Sequence, residues 1–147
     1  MKRFQFNLEK ILELRTYHER QSELKLAEAT GRCNSLRREI HECGVRKREV
    51  FSERSFTGRD MSSFLFVEHY TRRMTEHAAR LQMELEKTEK RRRQMQLEFL
   101  EASKKRKILS KLKERKQEMY YREELKAEQK NIDDISSSMY IKQLGEA

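Results

Sequence analysis

Cys33, Cys43, His18, His41, His69 and His77 are the residues of this chain whose types suit metal or nucleophilic chemistry. Their spacing supports neither. No two histidines stand four residues apart, and none carries the Glu-flanked spacing of a helical zinc site. The cysteines lie ten residues apart, about 15 Å along one helix. That exceeds the ~7 Å Cα separation that a disulfide tolerates, so both are expected to be buried free thiols. The four glycines are scattered and form no phosphate-binding loop, and no nucleophile elbow occurs. No catalytic residue, cofactor or metal site is expected, and the chain is expected not to be an enzyme.

Binding chemistry has more support. The stretch EASKKRKILSKLKERK, residues 101–116, sets eight basic residues against Glu101 and Glu114, a local balance of +6. Such a run can neutralise phosphates, anionic headgroups or an acidic protein surface. Glutamates punctuate the wider region, and aromatic residues for stacking on bases are few, so specific nucleic-acid binding is disfavoured. A membrane-surface helix would need bulky apolar residues opposite the charge; Ile108, Leu109 and Leu112 qualify, but a partner helix claims that face. A second cluster, Phe64, Phe66, Tyr70, Met74 and His77, reads as tip packing or as a docking patch.

The elements that position these groups follow from composition. The chain has 147 residues, no Pro, 40% charged and 35% hydrophobic residues, and a formal net charge of +9. Ordinary globular domains carry about 25% charged residues, so a layered core is not expected. Good helix formers dominate, and without Pro nothing forces a kink. No apolar run approaches the roughly 18–20 residues that span a membrane. The first fifteen residues lack the features of a signal or transit peptide, which points to the cytosol.

Leu26, Ala29, Cys33, Leu36, Ile40, Cys43, Lys47 and Val50 alternate by three and four, forming one coiled-coil seam. Upstream, Phe4, Leu8, Ile11, Leu14, Tyr17 and Leu24 are spaced less strictly. A second seam runs through Met74, Ala78, Leu81, Leu85, Thr88, Arg92, Met95, Phe99, Ala102, Arg106 and Leu109. Between them Thr57-Gly58 signals a turn, Ser62 is the expected helix cap, and Met61 with Phe66 the expected hydrophobic staple.

The expected fold is therefore all-α: one coiled-coil domain over residues 1–147, with helix one at about 4–53, a turn at about 54–62 and helix two at about 63–142. At 1.5 Å per residue the helices would span roughly 75 Å and 120 Å. They would pack as an antiparallel hairpin in which residue n faces 118 − n, with Phe4 near Glu114. Helix two then overhangs, carrying Leu125, Ile132, Ile135 and Met139 as an apolar stripe without a partner.

Several stretches resemble flagellar FliJ-type export proteins: MKRFQFNLEKILELR at the start, FVEHYTRRM at 66–74, ASKKRKILSKLKERK at 102–116, Tyr120-Tyr121, and EQKNIDDIS at 128–136. The resemblance covers essentially the whole chain. It implies a non-enzymatic part of the flagellar type III export apparatus, similar to the central stalk of rotary ATPases. It implies binding to the export ATPase ring and promotion of its assembly, contact with the membrane export gate, and association with export chaperones. The implied location is cytoplasmic, peripheral at the inner face of the inner membrane, through partners. Carried onto this sequence, the ATPase-facing residues are Phe4, Leu8, Ile11, Lys104, Lys105, Arg106, Lys107, Lys111, Lys113, Arg115, Tyr120, Leu125, Ile132 and Ile135. The gate-facing residues are Phe66, Tyr70, Met74, His77 and Leu81. Other readings of the same residues are a stalk protein of a related injectisome and a basic coiled-coil scaffold or nucleic-acid-binding protein.

Overall fold

The computed structural model describes residues 4–55 and 60–145. It contains two long α-helices packed against each other: α1, Glu9–Ser55, and α2, Met61–Gly145. The Thr57-Gly58 turn signal lies outside the described residues. Helix one starts later than expected, because Phe4–Phe6 is not helical. Phe6 is buried instead, beneath the Lys116 ammonium at 5.9 Å from its ring, and its carbonyl accepts from the Glu9 N–H at 3.0 Å.

Asp60, not Ser62, caps α2. Its carbonyl accepts from the N–H groups of Ser63 and Phe64 at 3.1 and 3.3 Å, and the Ser62 hydroxyl donates to the Asp60 carboxylate at 2.6 Å. An Asp at this position also places negative charge at the positive end of the helix dipole. The expected Met61–Phe66 staple does not form; both side chains are exposed.

Contacts divide the chain into two compact units, His18–Ala102 and Met1–Tyr17 with Ser103–Ala147. In the first, Cys33 and Leu36 are fully buried, and Leu36, Cys43 and Leu81 form a cluster with Ile40, Met74, Ala78 and Leu85 packed against it. Cys33 and Cys43 are buried free thiols. Each fully buried Leu supplies about 1.5–3 kcal/mol over exposure.

Orientation is written on the flanks of this seam. Arg32 and Glu84 each immediately precede a seam residue, and they pair at 2.6 Å. Arg37 and Glu89 each immediately follow one, and they pair on the other flank. Like flank facing like flank is the signature of antiparallel helices; parallel helices would mix the two. These pairs are exposed, so they select register more than they add stability.

Upstream of Leu26 the structure departs from the sequence reading. Among the half-buried positions, Leu8, Leu12, Arg15, Glu19 and Ser22 continue the same three-four alternation. Ile11, Leu14, Tyr17 and Leu24 are exposed. Periodic phase, not residue polarity, decides which face is covered here. Half-buried hydroxyls are satisfied locally: Ser22, Thr30, Thr71 and Thr88 each donate to the carbonyl four residues back.

Candidate partner-binding surfaces

The second unit holds the start of the chain against the middle of α2. The Glu9 carboxylate pairs with the Lys113 ammonium at 2.7 Å, and the Phe4 and Tyr120 rings lie 5.6 Å apart. Glu9 and Lys113 add to 122, as do Lys47 and Thr75 in the other unit, joined at 2.9 Å. The register is thus nearer 122 − n than 118 − n, and Phe4 faces Tyr120 instead of Glu114. Side-chain interlock and flanking ion pairs fix this offset, which turn position alone did not reveal.

The basic run is sorted by this packing. Arg106 is half-buried in the seam, with its guanidinium 3.5 Å from the Ser110 hydroxyl, and Lys113 is taken up by Glu9. Lys104, Lys105, Lys107, Lys111 and Arg115 are exposed. Lys104, Lys107, Lys111 and Arg115 recur every three or four residues, so they share one stripe about 16 Å long. Among the described residues none of these four has an ion-pair partner. The stripe presents cations to solvent and no acceptor of its own, which suits an acidic surface.

Tyr120 anchors the other side of this unit. It donates to the Glu124 carboxylate at 2.8 Å and meets Tyr121 edge-on. The bond to Glu124, then burial and the carboxylate's charge, hold the Tyr120 phenol above its ordinary pKa. A groove of about 330 Å³ lies between Phe4, Gln5 and Asn7 of the start and Lys116, Met119, Tyr120 and Glu123 of α2. Beyond Glu124 every described side chain is exposed, Leu125, Ile132, Ile135 and Met139 included. Tyr121, Leu125, Ile132, Ile135 and Met139 fall on one three-four pattern, with Glu128 at the intervening position. This is a coiled-coil seam with nothing described upon it.

All fourteen positions expected to face the ATPase fall in the unit that holds the chain start, and all five expected to face the gate fall in the unit His18–Ala102. The gate-facing set is not one surface. Leu81 is buried and Met74 packs on the core cluster. Phe66 stacks on Tyr70 at 6.2 Å, and His77 is exposed.

The chain matches the family model described as Flagellar FliJ protein over residues 4–145. It belongs to the FliJ family. That makes it a protein of flagellar export. No curated protein and no solved structure matches the chain.

Other features of this FliJ-family chain carry less. An open groove of about 550 Å³ runs beside Ala29 and Thr88, flanked by Lys25, Arg32, Arg91, Glu28 and Glu84. Its charges of both signs compensate one another. The Arg32 guanidinium is held above its ordinary pKa by its bond to Glu84 and that carboxylate's charge, as expected of a surface pair. Among the described residues no group of three or more His, Cys, Asp or Glu is placed to hold a metal. No described helix is long and apolar enough to cross a membrane.

Sequence reasoning did not mark Leu14 and Tyr17 as surface residues. Extending the Leu26–Val50 alternation backwards would have found them. The same reasoning put Arg106 in the seam yet counted it, with Lys113, among the residues facing a partner; the contact of Lys113 with Glu9 needed the correct register to be seen.

Proposed function

We propose that this protein is a non-catalytic element of flagellar type III export that binds the export ATPase ring, promotes its assembly and connects it to the membrane export gate. The observation that carries the reading is the Lys104–Arg115 stripe, four cations on one face of α2 with no ion-pair partner among the described residues. It stands beside the apolar seam from Leu125 to Met139, which has no described partner. Charge would steer the chain to acidic loops of the ATPase, and apolar burial would hold it there. Phe4, Leu8, Ile11 and Tyr120 belong to the same unit. No bond is made or broken by the chain; its contribution is surface complementarity.

Gate contact falls to Phe66, Tyr70 and His77, with Met74 and Leu81 supporting them from the seam. The reading extends to an escort role toward export chaperones and a location at the cytoplasmic face of the inner membrane, both in keeping with a flagellar export protein. Co-precipitation of the purified chain with the export ATPase, with DNA as competitor, tests the reading. Capture that survives excess DNA is expected; capture abolished by DNA would favour a basic nucleic-acid-binding coiled coil.

A further inference from the structure

At the end of the hairpin in the unit His18–Ala102, Phe51, Met61, Phe64, Leu65 and Phe66 are all exposed, Met61 by 72% and Phe64 by 66%. They are not one stripe. Phe64, Leu65 and Phe66 are consecutive on a helix, so they fan over about 200° of its circumference. A folded protein partner reads a helix along one face, at three-four spacing. A fluid apolar phase accepts side chains from all directions.

Charge surrounds this apolar end at a fixed distance. Residues 46–73 contain seven basic and four acidic residues, a balance of +3. Arg46 and Arg48 on α1, and Arg72 and Arg73 on α2, are exposed. They lie three to nine residues behind Phe51 and Phe64, about 5–13 Å along a helix. Arg46 and Arg72 make only loose pairs, at 3.7 Å, with Glu42 and Glu76. Among the described residues Arg48 and Arg73 make none. Interfacial elements bury apolar side chains about 5–10 Å deep, which leaves these guanidinium groups at headgroup level.

We propose that this end of the chain inserts into the surface of an anionic lipid bilayer. Phe64, Leu65, Met61 and Phe51 enter the boundary of the acyl region, and Arg48 and Arg73 meet lipid phosphates. The proposal is independent of ATPase binding, which uses residues of the other unit. It adds a direct lipid contact to a location otherwise inferred through protein partners.

The chain contains no Trp, so Phe64→Trp in the full-length protein is a single reporter. With vesicles containing phosphatidylglycerol its emission should shift to the blue, and the protein should float with the vesicles. With pure phosphatidylcholine vesicles both effects should be at least about fivefold weaker, since each basic residue near an anionic surface contributes about 1 kcal/mol. Combined Phe51→Ser, Phe64→Ser and Leu65→Ser should keep full helicity and lower affinity for anionic vesicles at least about tenfold. Lys104→Glu with Lys107→Glu should change it less than about twofold, because these charges are not part of the proposed contact and are screened by salt. No blue shift, or binding lost with the lysine pair but kept in the serine variant, overturns the proposal. Docking of this end on a protein would then remain the use of the patch.

Discussion

The Phe4 ring lies 5.6 Å from that of Tyr120, tilted by 53°. This contact marks how far along α2 the start of the chain reaches. Past Glu124 nothing described covers the helix. Truncation after Glu124 should therefore move the thermal midpoint by less than about 4 °C, equivalent to about 1 kcal/mol in a chain of this size. Truncation after Lys116, which removes Tyr120, should lower it distinctly more. Thermal melts followed by circular dichroism at 222 nm compare the two.

Seam phase predicts two very different leucines. Leu36 is fully buried, so Leu36→Ala should cost about 3 kcal/mol through lost burial and a cavity. Leu24 is 57% exposed, and Leu24→Ala should cost no more than about 0.5 kcal/mol. Urea unfolding checks both. Comparable losses would mean that α1 presents another face to α2.

Gly31 and Gly44 sit inside α1, and a Cβ at either position would meet nothing within 4 Å. Neither has a positive φ. Gly31→Ala and Gly44→Ala should each stabilise by about 1 kcal/mol, through helix propensity and a less flexible unfolded chain. Far apart on the helix, they should add. Denaturant midpoints of the single and double variants measure this.

The phenol of Tyr120 is held above its ordinary pKa by Glu124. A raised pKa in the folded state means that the protonated phenol is favoured by folding. That contribution is fully present below the ordinary phenol pKa, near 10. It is lost as pH rises through the higher folded value. Phenolate absorbance, read as the difference from Tyr120→Phe, should titrate late in the parent chain and earlier in Glu124→Gln.

Much of this architecture was legible from residue spacing. The alternation from Leu26 to Val50 and from Met74 to Leu109 located both seams, because polar interruptions such as Lys47, Arg92 and Arg106 did not break the phase. The flanking pairs Arg32–Glu84 and Arg37–Glu89 then fix antiparallel order. Three things were not legible. The offset between helices depends on interlocking side chains, so 118 − n missed by about four residues. The start of α1 depends on Phe6 finding a tertiary site, which no local propensity announces. Between Leu12 and Ser22 hydrophobicity and phase disagree, and phase wins: Arg15 and Glu19 are half-buried while Leu14 and Tyr17 face water. Arg92 shows a cost of such a seam, since its buried Nε has no hydrogen-bond partner among the described residues.

The candidate surface was legible as composition but not as geometry. Eight basic residues stood out in the run; Arg106 sits in the seam, Lys113 is taken up by Glu9, and Lys104, Lys107, Lys111 and Arg115 align on one face. A charge-reversal test should therefore spare Arg106, whose loss would confound binding with packing.

The most direct test of the central claim is the stimulation of the flagellar export ATPase by the full-length chain. Parent protein is compared with a Lys104→Glu, Lys107→Glu and Lys111→Glu variant of verified helicity. The variant should lose at least about tenfold in apparent affinity for the ATPase, from three reversed contacts at a screened interface. The parent's stimulation should weaken as salt rises. Equal stimulation by both proteins, independent of salt, would contradict the account.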